Sequence, residues 1–341
     1  AILARDAHSF YSPGPSKKWL RIPLNDPTSS LPTERGPRLT HLNKIYWPVE
    51  EGTPHKITKG ELIDYYRKMA PVLLPHLNDR PQSMHRHPEG IHGQGFFHKN
   101  LVEHHPAWVQ TEEIFSHSTR KNVNYLLCQN EFTLLYMINL GCIELNPWLS
   151  RIGQLDRPDS IVIDLDPDDE NSFVEVVEIA REFHKILDRI DVPHGVKTSG
   201  ATGIHIYIPI QGRYPYSEAR EFALAVSEVV HNLFRKNTSL ERSPNKRRGR
   251  VYLDCFQNAQ GQTVAAPYSV RPRPGAPVST PLLWKEVTSR LEPREYTLFT
   301  VPKRIDQLGD LWKSFLNNEK SLSSFSLPVS LSSLRKNFPI K

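Results

Sequence analysis

Cysteine is scarce. Cys128, Cys142 and Cys255 are the only three in 341 residues, which fits neither a disulfide framework nor a paired zinc-ligand spacing and points to a reducing, cytoplasmic setting. No run of about 18 apolar residues is present, so no segment has the length to span a bilayer as a helix. The N-terminus lacks the basic-then-apolar pattern of a secretory leader. No internal repeat is visible, which argues against a solenoid or propeller. Hydrophobic residues make up 38% and aromatic residues 9%, sufficient for a substantial core, and the length accommodates either one compact body or two lobes.

Charge of neither sign dominates. Lysine and arginine outnumber aspartate and glutamate 43 to 37, a net +6, which permits a polyanionic partner without demanding one. Local arrangement is more telling: NKRRGR at Asn245–Arg250 is a basic run, and Lys44, Lys56 and Lys59 recur among several histidines. A solvated charged face explains such runs equally well.

Residues 1–38 carry proline, glycine and serine without periodicity and read as an extended arm. Thr58 and Glu61 stand at capping-box spacing, with Leu62, Ile63, Tyr66, Met69, Leu73 and Leu74 following at helical intervals, and Pro71 is expected to bend or interrupt that helix. A short strand near Ser83–Arg86, a glycine-rich loop over Gly90–Gly95 and the pair Phe96-Phe97 come next, before a helix over Glu131–Leu140 that ends at Gly141. The pattern then alternates: strand Ile161–Asp166, helix Ser172–Ile190, strand Gly203–Ile210, helix Ser217–Phe234, strand Val251–Phe256. Phe173, Val176, Val177, Ala180, Phe183 and Leu187 make one apolar stripe, and Pro193 with Gly195 marks its exit. Strands separated by helices of this length predict an α/β or α+β domain built on a central sheet. A glycine- and proline-rich loop over 272–281 precedes a terminal helical portion, and the last twenty or so serine-rich residues read as a tail.

The segment SIVIDLDPDD, residues 160–169, carries the first chemical signal. Side chains alternate along a strand, so Asp164 and Asp166 share a face while Ile161, Ile163 and Leu165 turn to a core. Two carboxylates at the end of an apolar strand are costly unless a cation neutralises them, and a hard divalent ion with oxygen ligands would do so. A polar strand end that meets solvent is the plainer alternative. In RVYLDCFQ the same alternation delivers Asp254 from a second strand. Three carboxylates from two strands would clamp two ions about 3.5–4 Å apart, the arrangement of in-line phosphoryl transfer, and so of nucleotidyl transfer.

Between these strands lies KTSGATGIHIYIPI, residues 197–210. Ser199, Gly200, Thr202 and Gly203 make a small-residue turn suited to presenting backbone N–H groups to phosphate, and the strand after it sets His205 and Tyr207 opposite Ile204, Ile206 and Ile208. A histidine on a strand is more often a satisfied structural residue, yet beside the aspartates a triphosphate-binding role becomes the better reading. Arg271, ahead of the PRPG loop, would supply a bidentate phosphate contact. A structural arginine remains the alternative.

In order, LTHLNKIYWP, ITKGELIDYYRKMAP, GFFHKN, IELNPWLSR, IVIDLDP, KTSGATGIHIYIP, RRGRVYLDCFQN and APYSVRPRPGAPVSTPL resemble the polymerase domain of bacterial DNA ligase D and its stand-alone relatives in the archaeo-eukaryotic primase superfamily. The resemblance runs from about 39 to 300. It implies a primase-polymerase fold, with a catalytic domain over 39–300 comprising an N-terminal lobe at about 39–142 and a catalytic sheet at about 143–300. A C-terminal helical segment and tail would occupy 301–341. No ligase or nuclease segment is visible.

By the same resemblance, Asp164, Asp166 and Asp254 are the metal-binding carboxylates for two Mn²⁺ or Mg²⁺ ions. Ser199, His205 and Arg271 contact the incoming nucleotide, with Gly200 and Thr202 in the same turn and Arg247 in a basic loop nearby. Lys44 and Lys59 fall where a downstream 5′-phosphate is held, Phe96 and Phe97 where rings meet the template, and Arg86 and Lys99 on the same DNA side. Lysine suits a terminal phosphate as a point charge, and a ring stacks on any base. The departures are Asn146 in place of the histidine of the usual ELHPW, Thr202 in place of a lysine, and His41-Leu42 in place of asparagine-proline. They imply altered nucleotide affinity, with the chemistry kept.

The resemblance further implies extension of 3′ ends at gaps and annealed overhangs during non-homologous end joining, a preference for ribonucleotides, and partnership with Ku and an ATP-dependent DNA ligase near the nucleoid. A primer-independent primase, a DNA-end-bridging module with vestigial catalysis and a metal-dependent phosphodiesterase are the competing readings.

Overall fold

The computed structural model describes residues 36–313 and 325–339, apart from 54, 103, 117, 118, 169 and 248. The arm expected at 1–38 therefore lies almost wholly outside the described residues. The chain runs β1 (Ile45–Trp47), β2 (Ile57–Thr58), α1 (Lys59–Leu77), β3 (Gln82–Arg86), β4 (Phe96–His98), β5 (Gln110–Ser116), β6 (Lys121–Leu127), α2 (Glu131–Asn139) and β7 (Cys142–Pro147). It continues through β8 (Ser160–Asp166), α3 (Phe173–Arg189), β9 (Gly195–Thr198), β10 (Ile204–Pro209), α4 (Tyr216–Leu233), β11 (Thr238–Ser239), α5 (Pro244–Arg247), β12 (Val251–Asp254) and β13 (Pro281–Leu282). Among the described residues, the α-helices α6 (Val301–Leu308) and α7 (Leu327–Asn337) follow. This is the mixed α/β architecture expected from the alternation.

A six-stranded sheet in the order β11-β12-β8-β10-β9-β13 forms the centre, and β8 pairs antiparallel with both β10 and β12. Its two faces have opposite chemistry because side chains alternate. Ile161, Ile163, Leu165, Ile204, Ile206, Ile208, Val251 and Leu253 pack into one buried cluster with the apolar stripes of α3 and α4. The other face carries Val162, Asp164, His205, Tyr207 and Asp254, and only Val162 and Tyr207 join a smaller apolar cluster with Leu149, Tyr216, Val264 and Trp312.

A second body surrounds α1, α2 and the three-stranded sheet β4-β3-β7. Its core also takes Tyr268, Val270, Ala276, Val278 and Leu298, so the loop region after β12 returns to pack on the N-terminal elements. The Thr58–Glu61 capping box forms as expected.

Of the two effects expected at Pro71, interruption does not occur: α1 continues to Leu77 with Pro71 and Pro75 inside it. The two prolines are four residues apart on the exposed face, opposite the buried stripe of Leu62, Tyr66, Met69 and Leu73, whose packing carries the helix past them. The serine-rich end is not wholly a tail either: α7 seats Leu327 and Leu334, with Phe325 before them, against the helical side of the sheet. Leu327, Leu331, Leu334 and Phe338 recur at helical spacing there, a stripe masked by the serines between them.

Elsewhere the expected elements differ from the observed ones by one or two residues at their ends, and one of those differences has a cause. β12 stops at Asp254 because its Oδ1 accepts a hydrogen bond from the Phe256 N–H at 2.8 Å, turning the chain out of the sheet.

Candidate active site

Strand register puts four polar side chains in one row across the sheet. Asp254 on β12 stands opposite Asp164 on β8, Asp164 opposite His205 on β10, and His205 opposite Lys197 on β9. Directly opposed residues project to the same face, so these form a ladder of two carboxylates, an imidazole and an amine. Asp166 shares that face two residues along β8, opposite Tyr252. The sequence-predicted carboxylates thus converge.

Hydrogen bonds order the ladder. Lys197 is fully buried; its Nζ lies 2.9 Å from His205 Nδ1 and also meets Ser279 Oγ. His205 Nε2 lies 3.2 Å from Asp164 Oδ1. An ionised carboxylate accepts only, so the ring proton sits on Nε2, donated to Asp164, and Nδ1 of the neutral ring accepts from Lys197. Burial pushes the His205 pKa down, the charges of Lys197 and Arg271 add to that, and Asp164 opposes it; the ring is held neutral in this tautomer. Burial disfavours the Asp164 carboxylate, yet the His205 contact and the charges of Lys197 and Arg271 outweigh it and depress its pKa.

The other two carboxylates have no such support. Burial and then the charge of Asp164 raise the pKa of Asp166, against the opposing ion pair that Arg247 makes with it at 3.2 Å. Asp254 is likewise raised, first by burial and also by Asp164, although its oxygens accept from Phe256 N–H and from Gln257 Nε2 at 2.9 Å. Three oxygen-bearing anions crowd one face with their charges in mutual repulsion, and hard divalent cations fit that donor set.

The turn after β9 has a specific shape. Ser199 Oγ accepts from the N–H groups of Ala201 and Gly203, each at 3.0 Å, so these two amides, expected to face phosphate, are satisfied within the turn. Gly200 has φ +74°, and a Cβ there would lie 2.6 Å from Ser279 N; a Cβ on Gly203 would lie 2.3 Å from the Leu165 carbonyl oxygen. Only glycine fits at either place. Thr202 is exposed. Arg271 donates from Nε to Glu144 Oε2 at 2.8 Å and from Nη1 to the Ser199 carbonyl at 2.6 Å, bracing the turn against the three-stranded sheet. Glu144 opposes its own burial through a hydrogen bond with His85 and the charge of Arg271, which hold its carboxyl down at about 2. Asn146, two residues on, is buried and donates to the Glu144 carbonyl at 3.4 Å.

The residues assigned to the DNA side lie on the second body. Lys44 and Lys59 are adjacent: the Lys59 N–H donates to the Lys44 carbonyl at 2.8 Å. Lys44 is ion-paired with Glu89 at 2.7 Å. Lys59 is buried, with Nζ donating to Thr40 O, Asn139 O and Asn139 Oδ1 at 2.8, 2.7 and 2.8 Å, and burial together with the Lys44 charge pushes its pKa down to about 8. His41, beside that acceptor set, takes a positive φ of 56°. Phe96 and Phe97 are 43% and 57% exposed on edge strand β4. Phe97 stacks on His85 with centroids 4.4 Å apart, and the Arg86 guanidinium lies 5.2 Å from the Phe96 centroid. Lys99 is exposed at the end of β4.

The sequence reading passed over Lys197 and Glu144. Lys197 stood in the same segment as Ser199 and shares the parity of His205 once the two strands pair, whereas the Glu144–Arg271 contact joins residues 127 apart in sequence and had no local signal.

Comparison with known proteins now bears on this geometry. Residues 58–312 match the family model described as the LigD primase-polymerase domain. The chain belongs to that family. A primase-polymerase of this kind is a DNA nucleotidyltransferase, so the chain is an enzyme of that class. Among curated relatives it is 33% identical over 290 residues to the bifunctional non-homologous end joining protein LigD of Bacillus subtilis, covering 85% of this chain and 46% of that protein. It is 30% identical over 292 residues to the multifunctional LigD of Pseudomonas aeruginosa, covering 85% and 34% respectively. The chain therefore spans half or less of the length of these relatives. Among solved structures, the polymerase domain of Mycobacterium tuberculosis ligase D in complex with DNA superimposes with a TM-score of 0.74 at 26% identity, covering 82% of this chain and 98% of that one.

Among the described residues no helix is long and apolar enough to cross a membrane.

Proposed function

We propose that this LigD-type primase-polymerase extends 3′ ends against a template at gaps and annealed overhangs in non-homologous end joining, preferring ribonucleotides and working with Ku and an ATP-dependent DNA ligase. The observation that carries the reading is the in-register row in which Asp254, Asp164 and His205 share one face beside the Ser199–Gly203 turn. The catalytic unit is taken as 39–300, with the second body gripping DNA.

Asp164, Asp166 and Asp254 would hold two Mn²⁺ or Mg²⁺ ions. Held there, such ions would supply acidification of the attacking 3′-hydroxyl and neutralisation of charge on the triphosphate and leaving pyrophosphate. The chain's own groups prepare the face. His205, with its proton on Nε2, pins one oxygen of Asp164 and leaves the other for a cation. Lys197 fixes that tautomer from behind. Ser199, Gly200, Thr202, Arg271 and Arg247, with Asn146 nearby, would surround the triphosphate, and Lys44, Lys59, Arg86, Phe96, Phe97 and Lys99 would meet the DNA.

Primer extension on a gapped duplex with and without a 5′-phosphate, giving each ribo- and deoxyribonucleoside triphosphate with each metal in turn, tests chemistry, sugar choice and phosphate recognition together. Extension abolished in Asp164→Ala and Asp166→Ala, with end binding kept, is the expected result. Extension that survives both substitutions, or none by the unaltered chain with any metal, overturns the reading.

A further inference from the structure

On the helical side of the sheet, away from the catalytic carboxylates, α3 ends in a cluster that the polymerase reading does not use. His184 and Asp188 stand four residues apart on one face of α3, and His194 comes from the loop that leads into β9. His184 Nδ1 lies 2.8 Å from His194 Nε2 and 3.5 Å from Asp188 Oδ2, and His194 Nε2 lies 3.9 Å from Asp188 Oδ1. Among the described residues this is a group of three whose candidate ligand atoms all fall within 4.8 Å of one another.

We propose that His184, Asp188 and His194 form a structural site for a divalent transition metal of the zinc class, with water completing the coordination.

The spacing suits such an ion. Zinc bound by imidazole nitrogen and carboxylate oxygen at about 2.0–2.1 Å in tetrahedral geometry requires ligand atoms roughly 3.3 Å apart, and the three separations bracket that value. Ring and carboxylate rotations of a few tenths of an ångström close the difference. Nitrogen donors in two of three positions favour zinc, nickel or copper over magnesium or calcium.

Both imidazoles are pre-oriented from outside the cluster, as ligating histidines are. His194 Nδ1 hydrogen-bonds to the Val192 carbonyl at 2.7 Å, which places its proton on Nδ1 and leaves the Nε2 lone pair facing the cluster. His184 is stacked on the Trp284 indole with centroids 4.2 Å apart and planes within 1°. In the free protein its Nδ1 proton serves the imidazole–imidazole contact; on binding, that proton moves to Nε2 and Nδ1 becomes a ligand, with no net proton released. The side chain of His194 is 3% exposed, that of His184 30% and that of Asp188 62%, so an ion enters from the Asp188 side and meets solvent there.

A metal here would tie the end of α3, the turn into β9 and the Trp284 segment after β13 into one unit. β9 carries Lys197 and opens the Ser199 turn, so the site would stiffen the support of the catalytic face without touching it.

The test uses the full chain stripped with a chelator and titrated with Zn²⁺ alone, then with Co²⁺, for the unaltered protein, His184→Gln and Asp188→Asn. Both variants change partly or largely exposed side chains, which keeps the fold intact. Expected are one retained Zn²⁺ per chain, the visible absorption of nitrogen-bound tetrahedral Co²⁺, and a melting temperature about 3–4 °C higher at a hundredfold excess over Kd. His184→Gln should remove the absorption and the shift, Asp188→Asn should weaken binding at least tenfold, and both should leave manganese-dependent primer extension near its original level. Equal Zn²⁺ stoichiometry and affinity in His184→Gln and the unaltered chain, or no Zn²⁺ retained by the latter, overturns the proposal.

Discussion

Replacing Asp254 by asparagine should make the metal-free protein more stable while removing its activity. Asp254 and Asp164 are directly opposed on antiparallel strands, which sets their Cβ atoms about 5 Å apart. Two like charges at that separation repel by roughly 3 kcal/mol at an effective dielectric of about 20. The face is partly open, the Asp166 side chain being 52% exposed, so screening reduces this further. Against it stands one lost acceptor: the asparagine would keep the bond from the Phe256 N–H but would present an amide to Gln257 Nε2, at a cost of about 1 kcal/mol.

The balance is a gain of about 1 kcal/mol, hence a melting temperature higher by roughly 1–2 °C in excess chelator. Calorimetry with chelator and again with Mn²⁺, run beside primer extension, reads all three quantities. The unaltered chain should be stabilised by Mn²⁺, the variant much less, and extension should fall by a hundredfold or more. A variant that melts lower than the unaltered chain in chelator would refute the claim that these carboxylates repel one another without a cation. Equal stabilisation of both proteins by Mn²⁺ would refute the role of Asp254 in holding it.

Gly203→Ala would force a methyl to 2.3 Å from the Leu165 carbonyl; it should destabilise by about 2–4 kcal/mol in urea unfolding and weaken triphosphate binding with it. Phe97→Ala removes a 57% exposed ring whose one stacking partner is His85, so DNA-end affinity should drop about fivefold or more by fluorescence anisotropy with the melting temperature within a degree or two. Glu144, depressed to about 2 from 4.5 in the fold, contributes stability that is fully present above its unfolded pKa and lost as pH falls towards 2. Between pH 6 and pH 3 that loss is about 2 kcal/mol, and urea titrations should show a correspondingly shallower decline in Glu144→Gln.

The central strands and helices were legible because each carries a clean period. Ile161, Ile163 and Leu165 alternate with Asp164 and Asp166, and the stripe on α3 repeats at helical spacing, so local sequence decided both the element and its faces. The same parity placed Asp254 and His205 correctly. That Pro71 would leave the helix uninterrupted was not legible, because it depends on the proline lying on the exposed face, opposite the packed stripe. The C-terminal helix misled because three serines diluted an apolar spacing that only packing against α4 makes useful.

What sequence could not supply was the layer behind the site, and the reason is physical. A buried Lys197 or Glu144 is unfavourable alone and tolerable only beside partners brought by other segments: Lys197 by Ser279, 82 residues away, and Glu144 by Arg271, 127 residues away. Neither partnership leaves a local pattern, because each exists only after segments far apart in the chain have packed together. Once docked, Arg271 grips the Ser199 carbonyl from one side and Glu144 from the other, and His85 carries the contact on to Phe97. The ring assigned to template contact and the turn assigned to the triphosphate are therefore joined through one run of close polar and stacking contacts. Glu144→Gln keeps the volume but loses the charge that fixes Arg271, so it should raise the KM for triphosphate several-fold while Phe97-dependent end binding stays unchanged; equal losses in both would mean that Glu144 merely holds the two sheets together.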